Sequence, residues 1–156
     1  MELLAKRGWR MKRVLLIADD LTGALDSGVA FATSEARVLV ARSPREVHAL
    51  SAEMPDVLIV NTATRDGTAG EATAIMKALC GQIDLGGFDV VMKKVDSRLK
   101  GHVGAEVAAL ADAIGAPSLV AAPAIPSMGR TQRGGAIRGQ GIDGQIAIAP
   151  LFDRAV

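Results

Sequence analysis

The chain has 156 residues, of which 49% are hydrophobic and 22% are charged, and its formal net charge is +1. This length favours a single domain, and this composition excludes an intrinsically disordered chain. A net charge so close to zero gives the whole protein no field that would attract nucleic acid or an anionic membrane, so any binding of anions has to be local.

Short apolar segments that are typical of β-strands alternate with amphipathic segments that are typical of helices. Strands are predicted at 14–18, 36–41, 57–61, 89–94 and 118–122, and helices at 21–33, 44–53, 67–81 and 102–114. This alternation predicts right-handed β-α-β units. Because the strands are almost wholly apolar, helices should cover both faces of the sheet. The predicted fold class is therefore α/β, with three layers and a mostly parallel sheet.

The two ends of the chain depart from this alternation. Basic residues with no long apolar run precede the first strand, so residues 1–12 are expected to form a disordered extension without a signal peptide or membrane span. After Pro123, glycines separate alternating isoleucines, which predicts an irregular C-terminal segment with a hairpin. The main domain is predicted to span residues 13–150, and residues 151–156 are expected to be a truncated tail.

The lone cysteine, Cys80, cannot form an internal disulfide, which is typical of a reducing compartment. Its apolar helical surroundings indicate a buried side chain and not a nucleophile. The sequence therefore predicts a cytoplasmic protein.

Polar residues directly follow four of the predicted strands. In an open parallel sheet the carboxyl ends of the strands lie along one rim, and ligands bind in the crevice there. That rim would carry three carboxylates, two lysines, an arginine and several hydroxyls, which suits a small hydroxylated anion. The segments are 19–23, 61–65, 93–97 and 122–126.

Asp19 and Asp20 are adjacent at a strand-to-helix turn, so one of them can cap the helix and the other is expected to be free. A free carboxylate at such a turn can accept hydrogen bonds from sugar hydroxyls, hold Mg²⁺ or act as a base. Thr22 is the alternative helix cap. Asp26, about one turn into the helix, either approaches the same crevice or faces solvent.

The next two segments supply cations. The guanidinium fork of Arg65 is suited to grip a carboxylate through two parallel bonds, with a solvated arginine as the alternative. Lys93 and Lys94 occupy consecutive strand positions and therefore face opposite sides of the sheet, so one of them should point into the crevice. Asp96 and Ser97 add a counter-charge and a hydroxyl in the same loop.

The segment 129–135 has some features of a phosphate-binding loop and of an arginine- and glycine-rich RNA-binding element. It has neither a following helix with Lys-Ser/Thr nor aromatic neighbours for base stacking, so no nucleic-acid partner is predicted. His48 and His102 have no second histidine or cysteine at ligand spacing, so no metal site is predicted either.

Four segments, taken in order, resemble the motifs of the four-carbon acid sugar kinase family, formerly a domain of unknown function. The resemblance covers residues 13–145 and implies the N-terminal, acid-sugar-binding domain of those enzymes, with the C-terminal nucleotide-binding domain missing. In that family ATP phosphorylates the terminal hydroxyl of acids such as threonate, erythronate or 3-oxo-tetronate. The four segments are 18–28, 61–65, 93–101 and 122–131.

The resemblance also implies roles for individual residues. Asp20 would orient or deprotonate the reacting hydroxyl. The family's third motif usually reads Asp-Ser-Thr-Leu-Arg-Gly, whereas this chain has Arg98 and Lys100 at its third and fifth positions. The substrate contacts would be Asp19, Arg65, Lys93, Lys94, Asp96 and Ser97, and further possible contacts are Thr22, Asp26 and Arg130.

The same resemblance implies that ATP and Mg²⁺ bind mainly to the missing domain, which would be supplied in cis or in trans. The chain alone would then have no cofactor, and it would bind a sugar acid without turning it over. A homo-oligomer is a possible assembly. The alternative hypotheses are a stand-alone binding or effector-like module without kinase activity and, less favoured because of the net charge, an RNA-binding protein.

Overall fold

The computed structural model describes residues 12–33 and 35–152. None of the helices in this part of the chain combines the length and the apolarity that a membrane span requires. The elements, in chain order, are β1 (Val14–Ala18), α1 (Leu21–Phe31), β2 (Val38–Ala41), α2 (Val47–Ala52), β3 (Val57–Asn61), α3 (Ala69–Cys80), β4 (Val90–Lys94), α4 (Val103–Ile114), β5 (Arg130–Arg133), β6 (Ala136–Gly139) and β7 (Ile146–Ala147).

The main sheet has the strand order β2-β3-β1-β4, and all of its strands are parallel. Alternate side chains of β1, one of the two central strands, lie in two separate apolar cores. Leu15 and Ile17 pack on one face with α2, α3 and α4, whereas Leu16 packs on the other face with α1. The predicted three-layer α/β architecture is confirmed.

The prediction of a fifth strand at 118–122 is wrong. This segment is irregular in the structure, and β4 is therefore one of the two edge strands of the sheet. Leu119 and Val120 have 42% and 96% of their surface exposed. A strand exists only when its hydrogen-bonding groups meet a partner, and a locally apolar sequence does not ensure that meeting.

The C-terminal segment forms a separate three-stranded antiparallel sheet in the order β5-β6-β7, which confirms the predicted hairpin. Gly134 and Gly135 connect β5 to β6 with φ values of 57° and 72°. A two-residue hairpin loop of type I′ needs positive φ at both positions, which glycine adopts without a steric penalty.

Two expectations fall largely outside the described part of the chain. The proposed disordered extension over residues 1–12 includes only one described residue, Lys12, which lies 3.5 Å from Asp89. Residues 153–156 of the proposed truncated tail are likewise outside, while Leu151 ends a short 3₁₀ helix. The structure therefore tests neither expectation.

Candidate functional site

The register of the parallel sheet brings three of the polar segments to one place. Ala18 pairs with Asn61 on one side and with Lys94 on the other, so the carboxyl ends of β1, β3 and β4 are level. The residues that follow these three strand ends meet at one rim, as the spacing predicted. The fourth predicted segment, 122–126, does not follow a strand of this sheet, because 118–122 is irregular.

Asp19 and Arg65 form the centre of this rim. The Arg65 guanidinium donates to both carboxylate oxygens of Asp19, from Nε at 2.9 Å and from Nη2 at 2.8 Å. The side chain of Asp19 is only 2% exposed. This two-point, charge-assisted pair is a strong form of the salt bridge. The expectation that one carboxylate of the aspartate pair would be free is therefore wrong, because Arg65 binds both.

Burial by itself would raise the pKa of Asp19, but the hydrogen bonds from Arg65 and the charges of Lys93 and Arg65 hold this pKa below its ordinary value. The hydrogen bond to Asp19, only partly opposed by desolvation, raises the pKa of Arg65. Asp19 is therefore a fixed anion and Arg65 a fixed cation.

Asp20 performs two tasks. Its Oδ1 accepts a hydrogen bond from the main-chain N–H of Gly23 at 2.9 Å, which caps α1. Its Oδ2 accepts one from Nη1 of Arg65 at 2.7 Å. The side chain of Asp20 remains 27% exposed, so of the two aspartates it is the one that an entering ligand can reach.

Lys93 and Lys94 face opposite sides of β4, as their positions predicted. The Lys93 ammonium is buried and lies 3.1 Å from Oε2 of Glu106 in α4. Lys94 lies on the α1 side, where a Cβ added to Gly23 would be 2.9 Å from its Nζ. Within the described residues, no carboxylate forms a salt bridge with Lys94. Lys94 is thus the lysine that is available to a ligand.

Glu106 is the site residue that the sequence did not indicate. It is 1% exposed and accepts a hydrogen bond from the hydroxyl of Thr64. The signal was present, because Glu106 belongs to the buried face of α4 with Val103 and Leu110. A glutamate among apolar residues at helical spacing indicates a buried charge, and a buried charge needs a partner.

The loop after β4 connects the rim to the C-terminal sheet. Arg130 donates to Oγ of Ser97 at 2.7 Å and to the main-chain oxygen of Gln140 at 2.9 Å. Asp96 accepts from the N–H of Arg98 at 2.8 Å, and its Oδ2 lies 3.9 Å from Nη1 of Arg65. The hydroxyl of Ser97 and the guanidinium of Arg130 are therefore partners of each other.

Gly101 allows the loop to pass close to Asp19. Its φ is +84°, and a Cβ at this position would lie 2.8 Å from Oδ2 of Asp19. Only glycine satisfies both conditions, the left-handed backbone and the close approach.

In the part of the chain that the structure describes, no side-chain hydrogen bond or salt bridge joins the remaining candidates to this cluster. Thr22 and Asp26 are exposed on α1. Burial raises the pKa of the Cys80 thiol, which is consistent with the predicted inert side chain. His102 Nε2 lies 2.6 Å from the main-chain oxygen of Gly67. Among the described residues, no group of three or more histidine, cysteine or acidic side chains could hold a metal ion.

The rim groups that a ligand can reach are the carboxylate of Asp20, the terminal nitrogens of the Arg65 guanidinium and the ammonium of Lys94. The side chains of Arg65 and Asp96 are 21% and 20% exposed. Cations beside carboxylates can bind a molecule that carries both an acid group and hydroxyls, since cations bind the acid and carboxylates accept from the hydroxyls.

Comparison with known proteins identifies the family to which this fold belongs. Residues 14–145 match the family model of the sugar-binding N-terminal domain. The chain is 38% identical to a D-threonate kinase of Salmonella typhimurium over 120 residues, and 36% identical to one of Cupriavidus necator over 121 residues. It is 32% identical to a D-erythronate kinase of Heliobacterium modesticaldum over 127 residues. These matches cover 76%, 78% and 80% of the chain but only 28%, 28% and 29% of the relatives.

Two solved structures of a domain of unknown function from Bordetella bronchiseptica are also similar. One has a TM-score of 0.75 at 29% identity, over 85% of this chain and 35% of that protein. The other has a TM-score of 0.73 at 31% identity, over 83% of this chain and 33% of that protein. Both are described as domain-swapped dimers with bound citrate. The sequence match over residues 14–145, with the shared fold, shows that this chain belongs to the family of sugar-binding N-terminal domains found in kinases of four-carbon sugar acids.

Proposed function

We propose that this chain is the substrate-binding domain of an ATP-dependent kinase that phosphorylates a four-carbon sugar acid such as threonate, erythronate or 3-oxo-tetronate. The observation that carries the proposal is the rim where Asp20, Arg65 and Lys94 present an accessible carboxylate beside two cations. The names of the relatives, D-threonate and D-erythronate kinase, support this substrate class.

The acid group of the substrate would bind to Arg65 and Lys94. A guanidinium has five N–H donors, and Arg65 uses three of them on Asp19 and Asp20. One donor on each terminal nitrogen remains for a ligand. Lys94 adds a charge on the other side of Asp20. Lys93 remains a proposed contact. Because its ammonium is buried and paired with Glu106, it would act on the bound acid group through its charge.

Asp20 would orient or deprotonate the hydroxyl that attacks the phosphoryl group, because it is the accessible member of the aspartate pair. Asp19 would keep Arg65 in place. Asp96 would accept from a further hydroxyl, with Ser97 and Arg130 completing that side of the crevice. Thr22 and Asp26 remain outer candidates.

Phosphoryl transfer needs charge stabilisation and positioning from both the acceptor side and the nucleotide side. We propose that ATP and Mg²⁺ bind mainly to a C-terminal nucleotide-binding domain, supplied in cis or in trans. This chain, which spans less than a third of the length of its curated relatives, would then bind the sugar acid without turnover.

Self-association is a further proposal, supported by the domain-swapped relatives. The cytoplasmic location stays a prediction.

Titration calorimetry with threonate and with threitol, the polyol without the acid group, tests the proposal. We expect the parent chain to prefer threonate. Lys94→Met should weaken threonate binding about 10-fold or more and leave threitol unaffected, because a hydrogen bond to a charged group contributes roughly 1.5–3 kcal/mol. Lys77→Met, on the exposed surface of α3, is the matched control and should bind as the parent does.

Two variants of Arg65 sharpen the same test. Arg65→Lys keeps the charge but loses the planar fork, so it should reduce the preference for threonate nearly as much as Arg65→Ala does. A parent chain that binds threonate and threitol equally would refute the acid-binding role. Kinase activity of the 156-residue chain alone with ATP would refute the proposal that a separate domain is needed to bind the nucleotide. An acid-binding chain that no C-terminal domain activates would favour the stand-alone module.

A further inference from the structure

A buried ion pair lies directly beneath the site. The Nζ of Lys93 is 3.1 Å from Oε2 of Glu106, and the two side chains are 4% and 1% exposed. Such a pair gives little or no stability over well-packed apolar residues of similar volume, because desolvation offsets the attraction. Stability alone therefore does not account for it.

The position of Glu106 in its helix also indicates that stability does not account for the buried charge. The face of α4 that packs on the sheet is otherwise apolar, with Val103, Ala109 and Leu110 buried. Apolar side chains in place of both Glu106 and Lys93 would complete the core without any cost of burying charge. The carboxylate is thus placed where packing does not need it.

One oxygen of Glu106 holds the turn that carries Arg65. Its Oε1 accepts a hydrogen bond from the Thr64 hydroxyl, which lies 2.8 Å from that of Thr62. The main-chain N–H groups of Thr64 and Arg65 donate to the carbonyl oxygen of Asp19 at 3.0 and 3.3 Å. The turn is therefore attached to the end of β1 by its backbone and to α4 by the Thr64 side chain.

The other oxygen faces Lys93. The ammonium of Lys93 donates a hydrogen bond to the main-chain oxygen of Lys94 at 2.9 Å and forms an ion pair with Oε2 of Glu106 at 3.1 Å. The charge of Lys93 also acts on Asp19, whose carboxylate it stabilises. Glu106 partly neutralises that charge and so moderates its effect on Asp19.

We propose that Glu106 is a positioning residue of the sugar-acid site, which fixes the Arg65 turn through Thr64 and sets the charge that Asp19 experiences through Lys93. The inference rests on the proposed function for the identity of the ligand. Its electrostatic part concerns the chain without any ligand.

The main variant is Glu106→Gln, which keeps the size and an acceptor for Thr64 but removes the charge. We expect threonate affinity to fall about 10-fold or more, because the hydrogen bond that holds the Arg65 turn no longer has a charged acceptor. In a carboxyl-carbon NMR titration of ¹³C-labelled Asp19, the pKa should fall further than in the parent, because Lys93 is no longer neutralised. Asp112→Asn, an exposed carboxylate on the same helix, is the matched control and should change neither measurement.

A second pair of variants keeps the inference testable if Glu106→Gln does not fold. Thr64→Val removes only the hydroxyl and should weaken threonate binding, whereas Thr64→Ser keeps the hydroxyl and should restore most of the affinity. Equal binding by the valine and serine variants would overturn the role of the turn. An unchanged Asp19 titration in folded Glu106→Gln would overturn the electrostatic role.

The two proposals fail separately. If the parent binds threonate and the folded variants bind it within about two-fold of the parent, the positioning role of Glu106 is wrong while the proposed function stands. If the parent does not bind threonate, the proposed function fails. The Asp19 titration then still decides whether Glu106 controls the charge at the rim.

Discussion

The polar rim and the free edge of β4 differ in whether their side chains have partners within the domain. At the rim, the carboxylates of Asp19 and Asp20 are partnered inside the molecule through their contacts with Arg65. Along the edge of β4, apolar side chains remain uncovered, with Val90 and Met92 exposed by 41% and 42%. A groove of about 640 Å³ lies between this edge and the segment around Leu119.

The difference teaches where rigidity and adaptability lie in this domain. A buried ion pair with two-point geometry holds its groups in one arrangement, because any displacement leaves a charge without a partner. An uncovered apolar edge imposes no such requirement, since single exposed apolar residues are common on protein surfaces. Substitutions at the rim should therefore have large effects and substitutions at the edge small ones.

The largest effect is expected for Arg65→Ala, which leaves the carboxylate of Asp19 buried and unpaired. Removing one partner of such a pair costs roughly 3–5 kcal/mol. Urea unfolding should show this loss as a lower midpoint, whereas Arg45→Ala, an exposed arginine, should unfold like the parent. Equal midpoints for both variants would mean that the rim is not rigidly paired.

A second large effect is expected for Gly101→Ala. The added Cβ would lie 2.8 Å from Oδ2 of Asp19 at a φ of +84°. The strained backbone and the displaced carboxylate together should cost about 1–3 kcal/mol in thermal or chemical unfolding. Gly70→Ala is the matched control, because nothing lies within 4 Å of its Cβ and the residue is helical. That variant should be as stable as the parent or slightly more stable.

The partnered rim should also make the domain sensitive to acid. The folded-state pKa of Asp19 is below its ordinary value of 3.8, so Asp19 stabilises the fold above that pH and loses this contribution as the pH falls through its folded value. The free energy of unfolding should therefore fall below about pH 4. Asp19→Asn should reduce this dependence.

A matched comparison separates the rim from surface carboxylates. Hydrogen bonds from the backbone and the hydroxyl of Thr68 lower the pKa of exposed Glu71, so it acts in the same direction. Glu71→Gln should nevertheless reduce the acid dependence less than Asp19→Asn does, since solvent screens its interactions. The reverse order would contradict the comparison between a buried rim and a solvated surface.

The smallest effect on stability is expected in the segment around Leu119, across the groove from the edge of β4. Val120 is 96% exposed, so Val120→Lys should change the free energy of unfolding by no more than about 0.5 kcal/mol. If the edge supports self-association, the added charge should weaken it in sedimentation velocity experiments. A loss of stability comparable to that of Arg65→Ala would show that Val120 is packed against the rest of the domain and not exposed.

Much of the fold follows from local patterns. Apolar runs separated by amphipathic segments determined the parallel sheet, and capping residues such as Thr68 and Asp20 marked where helices begin. The error at 118–122 arose because that segment has strand-like composition but no strand partner in the structure. Pairing is a long-range event, and its outcome is not encoded in five neighbouring residues.

The candidate site, like the fold, has features that local sequence predicts and features that only long-range contacts determine. The sequence by itself determined that Asp19, Arg65 and Lys94 meet at one rim, because level strand ends follow from parallel register and segment spacing. Only the tertiary structure decided that Arg65 binds both aspartates, that Lys94 and not Lys93 is available, and that Glu106 lies beneath them. The physical reason is that position along a strand is a local property, whereas desolvation and the choice of partner depend on atoms brought together from distant parts of the chain.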